Sequence, residues 1–307
     1  MSRSLSRLLV VAGPTATGKS EVALALATAT DGEVINADAM QLYRGMDIGT
    51  AKLPAADRRG IPHHLLDVLD VTEPATVAAY QRDARAAIED VLNRRHTPIL
   101  AGGSGLYLQA VVDDFTFPAT DPTVRAELER SLAERGPAAL HRDLAALDPA
   151  AAAVLDPGNG RRIVRALEVV TITGAPFRAS MPMRGDLRYD AVWVCLDRET
   201  VLLDARIDRR VHDMMARGFL AEVDELVGRG LRAGPTASRA IGYQQLLAVL
   251  DGSMTLPDAI ERTIIGTRRL VRRQRSWFRR DDRQVWLDAG DPDVVAQIRR
   301  IAADRRP

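Results

Sequence analysis

The chain has almost no cysteine. A single one, Cys195, stands among 307 residues, which excludes an internal disulfide and a cysteine-clustered zinc site. Set in the apolar run 191–196, it reads as inert core. Long apolar runs are missing as well: stretches such as Leu8–Ala12 and 191–196 fall far short of the roughly 20 residues that a membrane span needs. No membrane partner is expected. The first residues, 1–7, are polar and lack the apolar stretch and small-residue cleavage site of a secretory signal, so a cytoplasmic location is the expectation. Net charge is close to absent, at +1, and any nucleic-acid reading must therefore rest on where the charge lies. Lysine is the last scarcity. Lys19 and Lys52 are the only two among 42 basic residues, and a compact ammonium does work that a planar guanidinium does not.

What is present suffices for a packed core: 46% of the residues are hydrophobic and 27% charged, which suits one large domain with a smaller one. Leu8–Ala12 reads as a strand, followed by a glycine-bounded loop and a helical stretch carrying Val22, Leu24 and Leu26. The runs 33–36 and 98–101 repeat the pattern, and between them Val77, Tyr80, Ala84, Ile88 and Val91 fall at helical spacing. Alternating strands and helices predict an α/β fold, a parallel sheet wrapped by helices. The alternation stops after Phe117-Pro118. From 121 to about 174 the chain is alanine-rich and helical, with starts at Asp121-Pro122 and Asp148-Pro149. Val192 to Leu196 restores a strand, and Leu203, Ile207, Val211 and Met214 begin an amphipathic helix. The expected organisation is a core in two parts, 1–117 and 189–307, with a helical insertion domain at 118–188.

Gly13-Pro14-Thr15-Ala16-Thr17-Gly18-Lys19-Ser20 fits the phosphate-binding loop G-x-x-x-x-G-K-[ST], with a strand before it and a helix after. In such a loop backbone N–H groups cradle phosphate oxygens, the lysine neutralises the distal phosphate and the serine can hold Mg²⁺. A diphosphate on a prenyl chain satisfies the loop as well as the end of a nucleotide such as ATP does. The segment Asn36-Ala37-Asp38-Ala39-Met40-Gln41-Leu42-Tyr43 follows the neighbouring strand, which puts Asp38 at the carboxyl edge of the sheet, where such folds bind ligands. A carboxylate there can serve as a base or, alone, as a helix cap.

Further motifs follow in order: Asp47-Ile48-Gly49-Thr50-Ala51-Lys52, Ile61-Pro62-His63-His64, Gly102-Gly103-Ser104-Gly105-Leu106-Tyr107, Arg161-Arg162-Ile163-Val164-Arg165-Ala166-Leu167-Glu168, Arg239-Ala240-Ile241-Gly242-Tyr243 and Arg273-Gln274-Arg275-Ser276-Trp277. Over most of its length this series resembles the bacterial tRNA dimethylallyltransferase family, also called tRNA isopentenyltransferase. Two positions depart from the commonest family pattern. Ala39 stands where serine is usual and removes a hydroxyl, while Ser104 stands for threonine and keeps one.

The resemblance implies a P-loop fold and a reaction in which dimethylallyl diphosphate gives its prenyl group to the N6 amine of the adenosine adjacent to the anticodon (position 37) of tRNA, releasing diphosphate. Two chemical demands follow. The leaving group needs its developing charge stabilised, which suits Lys19, the amides of 15–20 and Mg²⁺ at Ser20; the resemblance adds Arg210. The amine is a poor nucleophile and needs a carboxylate to take its proton, for which Asp38 is the choice. An adenine in a stacked loop must also be extruded into a dry pocket. The resemblance sets Asp38, Ala39, Met40 and Gln41 against the flipped base, with Ser104 and Arg125 as further tRNA contacts. Arg161, Arg162 and Arg165, with Arg239, Gly242, Tyr243 and Gln244, would hold the anticodon stem-loop, and the protein is expected to act as a monomer.

One segment speaks without the family. Between 268 and 283 there are eight arginines against two aspartates, and on a helix Arg268, Arg272, Arg275 and Arg279 share a face that excludes Leu270 and Trp277. Such a face suits a phosphate backbone or simply water; with the resemblance, Arg272, Arg273 and Arg275 become tRNA contacts. Other readings stay in view. An adenylate isopentenyltransferase acting on free nucleotide shares the first half of the motif series. A small-molecule kinase shares the phosphate loop, although 99–103 ends in Gly102-Gly103 without the aspartate that would hold Mg²⁺. A non-catalytic RNA-binding protein with a relict loop would not need both Lys19 and Asp38. His63 and His64 are adjacent and point different ways, so hydrogen-bonding roles are expected of them in place of a metal site.

Overall fold

The computed structural model describes residues 7–113, 117–118, 120–177 and 187–304. Of the polar N-terminal stretch only Arg7 falls among them, and 178–186 of the expected insertion lies outside them. The chain divides into two compact units, Met1–Asp113 with Leu187–Pro307, and Asp114–Asp186.

The larger unit is built on six strands, β1 (Leu8–Ala12), β2 (Gly32–Asn36), β3 (His63–His64), β4 (Thr97–Gly102), β5 (Ala191–Asp197) and β6 (Val285–Asp288). All pair in parallel, in the order β3-β2-β4-β1-β5-β6. The central strands are buried on both faces, so they read as continuous apolar runs. Their side chains alternate between two cores. Leu8, Val10 and Ala12 pack on one face with Tyr80 and Ile88 of helix α2 (Val77–Asn93) and Leu108 and Val111 of α3 (Gly105–Val112). Leu9 and Val11 pack on the other with Val22 and Leu26 of α1 (Lys19–Thr30). The neighbouring strands β1 and β4 thus send their helices to opposite faces, and a crevice opens at their carboxyl ends. Cys195 is wholly buried in β5, where burial pushes its thiol up from the ordinary value.

Two ionic clusters fix the loops beyond β2. Glu33 is buried and meets the fork of Arg94 and, at 2.7 Å, His64 Nε2; the Arg94 hydrogen bonds, against the opposing effect of burial, hold its carboxyl down at about 2. His63 Nδ1 lies 2.9 Å from the Ile61 carbonyl. Lys52, also buried, donates to the Tyr43 carbonyl and the carboxylates of Asp47 and Asp67 at 2.6–2.7 Å. The two lysines of the chain therefore divide their work, and Lys52 is a staple for the loop that follows Asp38.

The smaller unit is helical: α4 (Pro122–Arg135), α5 (Pro137–Leu147), α6 (Pro149–Ala152) and α7 (Gly160–Thr173). Asp121 and Asp148 cap α4 and α6, their side chains accepting from Thr123 N and Ala151 N, with proline in the first turn. Leu140, Leu144, Leu155, Ile163 and Leu167 form its core. In the larger unit the chain continues through α8 (Thr200–Ala216), α9 (Phe219–Gly228), α10 (Tyr243–Leu250), α11 (Leu256–Phe278) and α12 (Val294–Asp304). Leu203, Ile207, Val211 and Met214 are the buried stripe of α8. No helix among the described residues is long and apolar enough to cross a membrane.

Candidate active site

The loop between β1 and α1 turns on left-handed residues at Ala16 (φ 64) and Gly18 (φ 106). Gly18 caps α1 without a side chain, so the N–H groups of the first turn are left for an anion. The loop's carbonyls are held from behind: Lys19 Nζ and Thr17 Oγ1 donate to Pro14 O at 2.6 and 2.9 Å, Arg206 Nε to Ala16 O and Arg198 Nε to Thr17 O, each at 2.9 Å. Burial lowers the Lys19 ammonium to about 8, with the Asp38 carboxylate opposing and the Arg210 guanidinium adding to the shift.

Asp38 follows β2. Its backbone is set by Asn36, whose Oδ1 accepts Asp38 N–H at 2.9 Å and whose Nδ2 donates to Asp38 O at 3.0 Å. Asp38 Oδ1 accepts Met40 N–H at 3.0 Å, and among the described residues Oδ2 has no hydrogen-bond partner. Ser104 Oγ accepts the Ala39 N–H at 3.2 Å, so the hydroxyl of the glycine loop steadies the backbone at the position where this chain lacks the usual serine. The glycines that flank Ser104 have a packing reason. A Cβ at Gly103 would stand 2.5 Å from Gln274 Nε2, and one at Gly105 would stand 2.3 Å from the Trp277 ring, so α11 seats itself on this loop. Gln274 also reaches the phosphate loop, where Oε1 accepts Thr15 N–H at 3.0 Å while Nε2 donates to Gly103 O at 2.9 Å.

Arg210 comes from α8 and donates to the Thr50 carbonyl at 3.4 Å. Thr50 also accepts from Gln41 Nε2 at 3.1 Å, and the turn that presents it is gripped by Glu222, whose carboxylate accepts N–H groups of Asp47, Ile48 and Gly49 at 2.6–3.1 Å. Burial pulls Arg210 below its ordinary value, and Asp38 opposes this.

These parts meet in one cavity of about 320 Å³, lined by Lys19 and Ser20 of the phosphate loop, Asn36, Asp38 and Gln41 after β2, Gly102 and Gly103 after β4, Thr50, and Arg206, Arg209, Arg210 and Asp213 of α8. Arg206, Arg209 and Asp213 were not singled out from the sequence. With Arg210 they form a polar stripe at i, i+3, i+4 and i+7 that flanks the buried stripe of α8, a signal present in the sequence. Among the described residues no three His, Cys, Asp or Glu side chains are grouped to hold a metal ion. Mg²⁺, however, is commonly held through one or two side-chain oxygens together with substrate phosphates and water. The exposed Ser20 hydroxyl, on the cavity wall with Asp38 and Asp213, fits that mode.

The residues expected to meet RNA differ in what they can offer. Arg161, Arg162, Arg239, Gln244, Arg272 and Arg273 are exposed. Arg125 and Arg165 are partly exposed and close on the buried carboxylate of Glu168, and Arg165 also donates to Pro118 O at 2.9 Å. Arg275 turns inward to Asp197 Oδ1 at 2.8–3.0 Å and to Thr200 Oγ1 at 2.8 Å. Gly242 and Tyr243, expected as direct RNA contacts, lie within the fold of the larger unit. Both are buried, and the Tyr243 hydroxyl donates to Glu222 at 2.6 Å, so the tyrosine braces the 47–49 turn from within. Trp277, read from its spacing as lying off the basic face, is 40% exposed over Gly105.

A family model described as IPP transferase matches residues 41–281. The chain is 60% identical over 296 residues to a tRNA dimethylallyltransferase of Nocardia farcinica, covering 96% of this chain and 95% of that protein. It is 58% identical over 300 residues to a protein of the same name from Salinispora arenicola, with 97% and 87% covered. Among solved structures, a full-length tRNA isopentenylpyrophosphate transferase from Bacillus halodurans superposes with a TM-score of 0.71 at 38% identity, over 97% of this chain and 95% of that one. A eukaryotic dimethylallyltransferase acting on tRNA gives 0.82 at 29% identity, over 100% and 81%.

Proposed function

The chain belongs to the IPP transferase family, and from that premise we propose how its own residues carry out transfer of a dimethylallyl group to tRNA. Dimethylallyl diphosphate lies with its diphosphate on the phosphate loop. The N6 amine of an extruded adenine attacks C1 of the donor; the N–C bond forms as the C1–O bond breaks, and diphosphate leaves with the bonding electrons. Lys19 and the α1 N-terminus take up the developing negative charge, with Arg210 and its neighbours Arg206 and Arg209 also lining the cavity. Asp38, fixed through one oxygen by Met40 N–H, offers the other to the amine and accepts its proton. When bound, Mg²⁺ would add further neutralisation of the diphosphate, with Ser20 as its side-chain ligand.

The observation that carries this reading is the single cavity that brings together Lys19 and Ser20, Asp38, and Arg210 from three separate elements. The β4 end supports transfer over phosphorylation, since Ala101, Gly102 and Gly103 line the cavity where a kinase would place an aspartate. The exposed arginines of α7 and α11 suit a large polyanionic acceptor better than a free nucleotide. A tRNA acceptor also suits a cytoplasmic location. The test is to incubate the protein with bulk tRNA and dimethylallyl diphosphate, with AMP as a parallel acceptor, and to identify the digested nucleosides by mass. Isopentenyl-adenosine in tRNA is the expected product. Its absence from tRNA, or AMP as the better acceptor, sinks the reading.

A further inference from the structure

We propose that Gln274 is a positioning residue for the transfer step, holding the loop that binds the leaving group and the loop that carries the base in one register. The proposal rests on the proposed transfer reaction at this site. One side-chain amide spans the two: Oε1 accepts Thr15 N–H at 3.0 Å in the phosphate loop, and Nε2 donates to Gly103 O at 2.9 Å in the glycine loop. The ends do opposite jobs, and the amide supplies an acceptor and a donor on two separate atoms at the end of a long side chain; glutamate lacks the donor, lysine and arginine the acceptor, methionine the donor and any strong acceptor. From Gly103 the connection runs one residue to Ser104, whose Oγ accepts the N–H of Ala39, next to Asp38. Asp38 and Lys19 are thus linked through two side chains, those of Gln274 and Ser104, which hydrogen-bond to neither.

The glycine loop is shaped around this amide. A Cβ on Gly103 would stand 2.5 Å from Gln274 Nε2 and would force the amide to move, and Trp277, nearly one turn further along α11, covers Gly105 at 2.3 Å. The amide is half-buried while Arg273 beside it is exposed, so RNA held along α11 steadies both loops through the same helix. In-line displacement requires the amine, its base and the donor carbon in near-attack geometry, and a misplacement of about 1 Å lowers the rate by about 10²-fold. Gln274 therefore acts on the rate of transfer and leaves binding of either substrate to other residues.

The test uses the full chain with two variants. Gln274→Met keeps the length and removes both hydrogen bonds; Gln274→Glu keeps the acceptor facing Thr15 and loses the donor facing Gly103. Single-turnover transfer to an anticodon stem-loop is measured beside the separate dissociation constants for donor and stem-loop. Gln274→Met should slow transfer by about 10- to 100-fold while both dissociation constants stay within about twofold, and Gln274→Glu should fall between it and the parent. Ser104→Ala should slow the parent more than it slows Gln274→Met, because the two residues hold the same loop. Should Gln274→Met not fold, Gln274→Glu with Ser104→Ala carries the same comparison. Transfer at the parent rate, or a loss that appears equally in donor affinity, overturns the proposal. If the parent enzyme itself fails to prenylate the stem-loop, the reading of the site falls instead.

Discussion

The cations of the cavity and those of the helical unit are held in different ways. Lys19, Arg206 and Arg210 hydrogen-bond to backbone carbonyls, of Pro14, Ala16 and Thr50, and among the described residues none has a carboxylate within ion-pair distance. In the helical unit Arg125 and Arg165 close on Glu168, which is wholly buried. A carbonyl orients a cation and leaves its charge for an anion, whereas a buried carboxylate makes the cation part of the fold, since either charge alone would lack compensation. Arginine content therefore says little about RNA binding until each guanidinium's partner is known.

Asp38 breaks the comparison most directly, as a carboxylate that lies among the cavity cations and pairs with none. Asp38→Asn keeps the size and the acceptor facing Met40 N–H but removes the base. Turnover should fall by about 10²-fold or more with donor affinity nearly intact. A purified variant that turns over like the parent removes Asp38 from the mechanism.

Lys19 comes next. Lys19→Ala should slow transfer by about 10²-fold, and Lys19→Arg should not restore it, because a planar guanidinium does not fit a site built around an ammonium. The sign of the pH effect follows from its lowered value. Lys19 is charged below about 8 and loses its charge as pH rises through about 8. Donor affinity should accordingly be highest on the acid side and decline above that pH, by at most about tenfold per unit for one proton. Calorimetric titration of the donor across this range should show the decline in the parent and not in Lys19→Ala; a flat parent profile contradicts the assignment.

Glu168→Gln probes the other side of the comparison. Removing the charge that holds Arg125 and Arg165 should cost about 1–3 kcal/mol, less than a fully buried pair because both guanidiniums can reach water. Thermal melting should record that loss while donor affinity stays unchanged. A matching loss of donor binding would mean that the helical unit's ion cluster also shapes the cavity.

The sheet was largely legible because its central strands are apolar runs and its helices carry caps or apolar stripes that sequence displays, from Asp121-Pro122 to the Leu203–Met214 spacing. β3 and β6 were not. One is two half-buried histidines, and the other is a half-buried edge strand whose apolar run, Val285 to Leu287, is too short to stand out. Within the site, the placement of Lys19 and Asp38 at the carboxyl edge of the sheet could be read locally, because each follows directly on a legible strand and loop. The grip of Glu222 on 47–49 could not, since its partners lie 173–175 residues away in sequence. Tyr243 shows what a motif match leaves open, since it marks a position without giving the side chain's surroundings, and this side chain is buried.

The most direct measurement sets Arg210→Ala against a triple variant with Arg272, Arg273 and Arg279 changed to glutamine, titrating each with dimethylallyl diphosphate and with an anticodon stem-loop at two salt concentrations. Arg210→Ala should weaken the donor and leave the stem-loop's affinity and salt dependence alone. The triple variant should bind the donor normally, bind the stem-loop less tightly, and flatten its log–log salt slope by about 0.7 for each phosphate left unneutralised on single-stranded portions. If Arg210→Ala lost both ligands alike, or the triple variant bound the stem-loop with an unchanged slope, the division between cations held for the donor and cations free for RNA would be contradicted.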